Sequence, residues 1–238
     1  MLNKTTLKLP LTITFIVCEI ILGVLVQITG DGVLVAVSYA CVILACLFFG
    51  LFYEKSYSYY LTQLGLICTV VADLFLVVMN PIKQLPAMAF FSVTQLCYFF
   101  RLYTSCKNPR LRLAHIITRG SLVVIALSLT ALVLGKNTDA LSLVSLFYYA
   151  NLIVNIVFAF IEFKKEPLLA IGLLLFLLCD TIIGLNVMAN SYIPIAEGTL
   201  IYNILHCNIN LAWIFYVPSQ VLIALSLLNF KKSLNQII

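Results

Sequence analysis

Residues 60–79 read YLTQLGLICTVVADLFLVVM, a run in which Asp73 is the one charged side chain. A helix needs ~20 predominantly apolar residues to cross the hydrocarbon core of a bilayer. This run has the required length. It therefore predicts a membrane-spanning helix that carries a carboxyl group in its interior.

The composition of the whole chain is that of a membrane protein. Of its 238 residues, 63% are hydrophobic and 10% are charged, against ~45–50% and ~25% in soluble domains. The mean hydropathy is +1.12. A water-soluble globule needs more polar surface than this chain supplies. The composition excludes a soluble enzyme, a disordered protein and a nucleic-acid binder.

Seven further apolar runs accompany residues 60–79, and turn-forming or charged residues separate them. We therefore expect an all-α, polytopic membrane protein in which residues 1–238 form a single domain of eight transmembrane helices. Residues 199–206 either extend the last helix or lie in the membrane interface. The predicted helices are 11–28, 33–53, 60–79, 84–103, 115–135, 141–163, 167–187 and 207–228.

The distribution of cations predicts the orientation of these helices. With eight crossings, both termini share one side of the membrane, and that side holds all but two of the 14 Lys and Arg residues. Loops rich in Lys and Arg stay in the cytoplasm, so both termini are predicted to be cytoplasmic. The opposite side holds Lys83 and Lys136. The cytoplasmic side holds Lys4, Lys8, Lys55, Arg101, Lys107, Arg110, Arg112, Arg119, Lys164, Lys165, Lys231 and Lys232.

The eight cysteines do not form a pattern typical of disulfides or metal sites. Seven lie in apolar runs, where cysteine packs as a small hydrophobic residue. No Cys-x-x-Cys or Cys/His pairing suggests a metal ligand set. Neither a metal nor a cofactor is expected.

Three carboxyl groups lie inside predicted helices: Glu19, Asp73 and Asp180. A charged group inside a bilayer costs at least ~2.5 to 3.5 kcal/mol, so such residues are candidates for function. Asp73 and Asp180 lie equally far along helices that start on the same side, ~20 Å at 1.5 Å per residue. Glu19 lies closer to a helix end and is interpreted as structural, paired with Lys8 or extended toward the interface.

The sequence around the two aspartates repeats. Gly65 precedes Asp73 by eight residues, and Gly172 precedes Asp180 by eight. Each glycine shares a helical face with its aspartate and permits a close approach of another helix. The pattern suggests a weak parallel repeat of helices 1–4 and 5–8, with a site between the halves.

Further polar side chains inside the predicted helices are candidates to line the same interior. Gln95 and Tyr98 share a face of the fourth helix, and Asn151 and Asn155 share a face of the sixth. An isolated Asn or Gln more often forms an interhelical hydrogen bond than a ligand contact. The remaining candidates are Asn186, Asn208, Asn210 and Gln220.

Four segments resemble, in order, the motifs of the YhhN, or lysoplasmalogenase-like, membrane proteins. Residues 65–76, GLICTVVADLFL, resemble G-L-x-x-S-x-x-G-D-x-x-L, and residues 87–98, AMAFFSVTQLCY, resemble G-x-x-x-F-x-x-x-H-x-x-Y. Residues 172–186, GLLLFLLCDTIIGLN, are similar to a G-x-x-x-F-x-x-S-D segment, and residues 216–223, YVPSQVLI, to Y-x-x-A-Q-x-L-I. The resemblance covers most of the chain.

The resemblance implies an eight-helix membrane enzyme that hydrolyses the vinyl ether bond of lysoplasmalogens to a fatty aldehyde and a glycerophospho-alcohol. The two intramembrane aspartates to which this catalysis is assigned correspond to Asp73 and Asp180. The expected partners are a lysophospholipid substrate and membrane lipid, and the expected location is a bacterial cell membrane. The predicted substrate-binding residues are Gln95, Tyr98, Asn155, Asn186, Tyr216 and Gln220.

The chain departs from the family pattern at four positions. Thr69 replaces Ser, Ala72 replaces Gly, Cys179 replaces Ser, and Gln95 stands where His is usual. The last departure matters most, because glutamine cannot transfer a proton as imidazole does. These differences leave open another lipid substrate, or no activity.

Two carboxyl groups suit the chemistry that the resemblance implies. A vinyl ether is hydrolysed by protonation at carbon, which gives an oxocarbenium ion that water captures. One carboxylic acid donates the proton and one carboxylate stabilises the cation, as in glycosidase carboxylate pairs. Either aspartate can be the acid. The phosphate of the lipid is expected near Arg101, Lys107 or Arg119.

A transporter or a lipid-binding membrane protein is the main alternative to an enzyme. Intramembrane carboxyl groups also carry protons in pumps, and polar interior residues also line substrate pathways. A structural or assembly protein is a third alternative. It would tolerate the loss of both aspartates, with an effect on folding alone.

Overall fold

The computed structural model describes residues 4–29, 32–50, 56–191, 195–207 and 209–227. Over these residues the chain is helical apart from short turns, without a strand, which confirms the all-α prediction. A π-helical turn, Leu74–Val78, directly continues α3. The α-helices of the described residues are α1 (Lys4–Thr29), α2 (Gly32–Gly50), α3 (Tyr57–Asp73), α4 (Gln84–Ser105), α5 (Pro109–Leu134), α6 (Ala140–Ile161), α7 (Pro167–Ser191), α8 (Leu200–Leu205) and α9 (Leu211–Leu225).

Polar residues between the apolar runs fix where several helices begin. The side chain of Asn108 caps α5 by accepting a 3.0 Å hydrogen bond from a backbone N–H, with Pro109 at the first helical position, where its missing N–H costs nothing. Asp139 and Ser142 form a capping box at the start of α6. These caps satisfy backbone donors that would otherwise be unpaired near the membrane surface.

The cap at Asn108 corrects one boundary predicted from the sequence. The fifth helix begins at Pro109 rather than at residue 115, because Asn108 and Pro109 form a strong start signal ahead of the apolar run. Arg119 is therefore the eleventh residue of α5 and lies in its interior, not at its end. Most of residues 199–206 form the short helix α8, which Thr199 caps.

Two pairs of helices pack most closely, α3 with α4 and α7 with α9, and α4 also packs along α6. Glycine makes both pairs close. A Cβ atom on Gly65 would lie 2.8 Å from the ring of Tyr98 on α4, and one on Gly172 would lie 2.9 Å from the side chain of Ile223 on α9. The two glycines of the sequence repeat thus occupy matching close contacts. The repeat of the two halves stays a prediction.

The outside of the bundle is apolar. Large hydrophobic side chains of α1 and α5 are exposed, and Leu132 is 80% exposed. Water would disfavour so large an apolar surface, whereas the hydrocarbon core of a membrane accommodates it. Representative exposed side chains are Ile13, Val17, Ile20, Val24, Ile28, Ile117 and Val124.

Six helices of the described residues are long and apolar enough to span a membrane. The chain is therefore a multi-pass integral membrane protein. The other two predicted spans correspond to shorter apolar stretches, Ala36–Ala45 and Leu211–Leu225, so the count of eight crossings stays a prediction. Lys55, Lys231 and Lys232, which contribute to the predicted orientation, lie outside the described residues.

Reporter fusions test the topology. A fusion after Lys136 and one after Lys165 flank α6, so they are expected to report opposite sides of the membrane. The cation bias places the second fusion in the cytoplasm. Paired alkaline phosphatase and green fluorescent protein reporters give complementary signals on the two sides. The same side for both fusions would contradict the predicted helix count.

Candidate active site

Asp73 is the last residue of α3 before the π-helical turn, and its side chain is 5% exposed. The hydroxyl of Tyr216 on α9 donates a 2.8 Å hydrogen bond to its Oδ2 atom. A polar group that is buried at this depth needs such a partner. The tyrosine therefore fixes the orientation of the carboxyl group.

Asp180 lies on α7 and is half-buried. The hydroxyl of Tyr148 on α6 donates a hydrogen bond to its Oδ2 atom. Each of the two aspartates is thus held by a tyrosine from a different helix. Within the described part of the chain, these hydrogen bonds use the Oδ2 atom of each carboxyl group.

Aromatic rings connect the two tyrosine–aspartate pairs. The ring centroid of Phe176 lies 5.4 Å from that of Tyr216 and 6.5 Å from that of Tyr148. The Phe91 ring lies 5.6 Å from Tyr148 and 5.9 Å from Phe176. These spacings are typical of packed aromatic clusters. The site is therefore a region lined by rings from α4, α6, α7 and α9, with Asp73 contributed by α3.

The two carboxyl groups belong to one aromatic cluster. Phe176 packs against the tyrosine of each pair, Tyr216 and Tyr148. Asp73 is buried, so water screens a charge on it only weakly. The structure thus brings Asp73 and Asp180 into one site, and their catalytic roles stay predictions.

The π-helical turn directly follows Asp73. Its closing hydrogen bond runs from the backbone N–H of Met79 to the carbonyl of Leu74, at 2.9 Å. Single π-helical turns are frequent at functional sites, where they change the direction of a helix locally. The sequence carries no signal for this turn, because Leu74–Val78 is uniformly apolar.

Two of the predicted substrate-binding residues belong to a polar cluster on α4, α5 and α6. The side-chain amide of Asn155 donates to the Oε1 atom of Gln95 at 2.9 Å and to its backbone carbonyl at 2.8 Å. The guanidinium of Arg119 donates to Asn155 at 2.5 Å and also to Asn151. His115 lies 3.2 Å from the same guanidinium. We call these five residues the Arg119 cluster.

The other predicted residues occupy different places. Tyr98 is fully buried, and its ring forms the contact between α4 and Gly65. Gln220 is buried on α9, and its amide donates to Ser219 at 3.4 Å. Asn186 is exposed near the C-terminal end of α7. Asn208 lies outside the described residues.

A pocket of about 380 Å³ lies between the C-terminal half of α7 and helices α8 and α9. Its walls include Ile183, one helical turn beyond Asp180, together with Asn186 and Trp213. The Trp213 ring packs 5.4 Å from that of Tyr216. The pocket is therefore adjacent to both tyrosine–aspartate pairs, at the end of the bundle opposite Arg101.

Arg101 is buried near the C-terminal end of α4, and both of its terminal guanidinium nitrogens donate hydrogen bonds. Its guanidinium donates to Glu166 at 2.5 Å, and to the hydroxyls of Thr62 and Ser226 at 2.8 Å each. This network joins α3, α4, the start of α7 and the end of α9. Because a carboxylate already neutralises it, Arg101 is a poor candidate for the phosphate of a lipid.

The sequence did not predict the contacts that α2 makes with the site. Tyr39 on α2 packs 5.2 Å from Tyr216, edge to face, and the hydroxyl of its neighbour Ser38 donates to Glu19 at 2.8 Å. Glu19, the third intramembrane carboxyl group, is therefore hydrogen-bonded to α2, the helix whose Tyr39 contacts the site. Among the described residues, no group of His, Cys, Asp or Glu is placed to hold a metal ion.

The fold and the site define a polytopic helical membrane protein with two carboxyl groups held by tyrosines in an aromatic interior. The sequence model of the YhhN family matches residues 35–227, most of the chain and both aspartates included. The chain therefore belongs to the YhhN family, which confirms the resemblance seen in its motifs. No curated protein and no solved structure gives a significant match.

Proposed function

We propose that this protein hydrolyses the vinyl ether bond of lysoplasmalogens, lysophospholipids whose chain is joined to glycerol through a carbon–carbon double bond next to oxygen. The observation that carries the proposal is the pair of tyrosine-held aspartates in one aromatic site beside a pocket. Membership of the YhhN family, and the resemblance of its motifs to lysoplasmalogenase-like proteins, support the same conclusion.

The reaction needs a proton donor and an anion. One aspartic acid protonates the carbon of the double bond that is remote from oxygen, and the other carbon becomes part of an oxocarbenium ion. The second carboxylate stabilises this cation and accepts a proton from the attacking water. The resulting hemiacetal transfers its hydroxyl proton to the glycerol oxygen and separates into a fatty aldehyde and a glycerophospho-alcohol. The proton taken from water by the second carboxylate then returns to the first carboxyl.

The aromatic rings favour this pathway. A cation within ~6 Å of a ring face is attracted to its π electrons. Phe176 lies between the two tyrosines that hold the aspartates, where the oxocarbenium ion would form, and Phe91 packs against Phe176 and Tyr148. These rings also exclude bulk water, so that the carboxylate acts on the cation with little screening.

The alkyl chain has a place in the same region. The pocket beside Ile183 and Trp213 is about 380 Å³ in volume and mainly apolar side chains line it. A chain bound there would begin next to Asp180 and extend toward α8. The glycerol and phosphate would then lie on the opposite side of the aspartates.

An aldehyde-release assay tests the proposal. Purified protein in detergent receives three lysolipids of the same chain length and head group, with a vinyl ether, a saturated ether or an ester linkage. The proposal expects aldehyde from the vinyl ether alone, because a saturated ether has no double bond to protonate. Product is measured by an aldehyde-specific hydrazone with chromatography.

Each outcome of the assay separates the alternatives. Release of fatty acid from the ester would indicate an esterase. Folded protein that releases no product from any of the three lipids would reject hydrolysis and favour the lipid-binding or transport alternative. Detergent removes the second compartment that a transporter needs, so aldehyde formation there identifies catalysis.

A further inference from the structure

Arg119 lies in the interior of α5 and is 9% exposed. Its guanidinium packs over the ring of Phe99, with 4.1 Å between the guanidinium carbon and the ring centroid. It donates hydrogen bonds to the side-chain carbonyl oxygens of Asn151 and Asn155. Arginine keeps its charge in such surroundings, so this bundle holds a permanent positive charge far from its ends.

That charge has no carboxylate partner among the residues that the structure describes. The ion pairs among the described residues are Arg101 with Glu166 and Lys165 with Glu162. Arg119 takes part in neither, and its hydrogen-bonding partners carry amide or imidazole groups. A buried cation without a counter-charge is strongly unfavourable. An arrangement of this kind is typical of a site whose anion arrives with a ligand.

Two donors of the Arg119 cluster remain unused. The Nε atom of Arg119 and the Nε2 atom of Gln95 are buried without a hydrogen-bond partner among the described residues. Gln95 is 0% exposed and connects to Arg119 through Asn155. A group with several acceptor oxygens and a negative charge would satisfy both donors.

The cluster lies within reach of the aspartates. Tyr148, which holds Asp180, shares one face of α6 with Asn151 and Asn155. From Tyr148 to Asn155 the helix rises by two turns, ~10 Å at 1.5 Å per residue. An extended glycerophosphate, together with the lengths of the aspartate and arginine side chains, covers this distance.

We propose that Arg119 and Gln95 form the binding site for the phosphate of the lysophospholipid, about two helical turns along α6 from Tyr148, the residue that holds Asp180. The inference rests on the proposed function, since it takes the vinyl ether to lie at the aspartates. The phosphate supplies the counter-charge that Arg119 lacks. The alkyl chain then occupies the pocket at Trp213, on the other side of the carboxyl groups.

Binding of a lipid that cannot be cleaved tests the site without any activity. The chain has a single tryptophan, Trp213, which lines the pocket, so its fluorescence reports the arrival of the chain. A saturated 1-O-alkyl lysophospholipid is compared with the 1-O-alkylglycerol of the same chain, which lacks the phosphate. The wild type is expected to prefer the phospholipid about 10- to 100-fold, as charged hydrogen bonds allow.

The variant Arg119→Gln removes the charge and is expected to abolish this preference while affinity for the alkylglycerol stays unchanged. Asn155→Asp is a second variant, because a carboxylate 2.5 Å from the guanidinium would compete with the phosphate. It also loses the two hydrogen bonds that the Asn155 amide donates to Gln95, so its unfolding curve is compared with that of the wild type. It is expected to abolish the preference too. Arg110→Gln is the matched control, since Arg110 is an exposed cation at the start of the same helix.

An unchanged phosphate preference in folded Arg119→Gln or Asn155→Asp protein would overturn the proposal, as would a wild type without any preference. Arg119 would then serve contacts between helices alone. The hydrolysis proposal and the phosphate-site proposal can be rejected independently. Absence of aldehyde release with an Arg119-dependent phosphate preference rejects the hydrolysis, whereas aldehyde release without that preference rejects the phosphate site.

Discussion

Asp73→Asn and Asp180→Asn are each expected to lower the rate of aldehyde release by about 10²- to 10⁴-fold, the usual worth of general acid–base catalysis. Asparagine has the size of aspartate and can still accept the tyrosine hydrogen bond. It can neither donate a catalytic proton nor carry the negative charge that stabilises an oxocarbenium ion. The measurement is the initial rate with the vinyl ether lysolipid, alongside a thermal unfolding curve for each variant.

Asp139→Asn is the matched control for this pair. Asp139 caps α6 outside the apolar span, where hydrogen bonds from the backbone and side chain of Ser142 lower the pKa of its carboxyl group. Asparagine is as good a cap as aspartate, so both the rate and the unfolding temperature should stay unchanged. Full activity in both site variants would assign the aspartates a role in binding or transport.

Arg101→Met is expected to destabilise the protein by about 3 kcal/mol, at the lower end of the range for a broken buried ion pair. Methionine fills much of the same volume, but it leaves the carboxylate of Glu166 without its cation and Thr62 and Ser226 without their donor. The lower end applies because the Glu166 side chain keeps some exposure to solvent. Chemical unfolding in detergent micelles, followed by circular dichroism, measures the change.

Lys165→Met is the control, because Lys165 pairs with Glu162 in an exposed loop, where ion pairs contribute little to stability. A double variant Arg101→Met/Glu166→Gln should recover part of the loss, since it removes the uncompensated carboxylate. An Arg101→Met protein with the unfolding midpoint of the wild type would show that this network is not what joins α3, α4, α7 and α9.

The sequence predicted the aspartates for a reason that does not depend on the fold. A carboxyl group inside an apolar run is unfavourable in any arrangement of helices, so Asp73 and Asp180 were identifiable before their neighbours were known. The same reasoning identified Glu19, interpreted as paired with Lys8 or extended toward the interface. The structure instead gives it a hydrogen bond from Ser38 on α2, a contact between helices that spacing along one helix cannot reveal.

The sequence pattern placed Arg119 too close to the start of α5 because it missed a local signal for the beginning of that helix. The apolar pattern places the start of the fifth helix at residue 115, but Asn108 and Pro109 begin the helix earlier. This moves Arg119 from a helix end to the interior of the bundle. A cation that the sequence places near a helix end is thus buried, and the proposed phosphate site depends on that difference.

Composition and the lengths of the apolar runs by themselves determined that this chain is an all-α membrane protein, because a bilayer restricts spanning segments to a few structures. The motifs determined its family. The tertiary structure alone decided which side chains meet: Tyr216 with Asp73, Tyr148 with Asp180, and Phe176 between them. The physical reason is that lipid and neighbouring helices are equally apolar surroundings. Hydrophobic patterning therefore does not tell an inward face from an outward one, and close packing of the helices makes that choice.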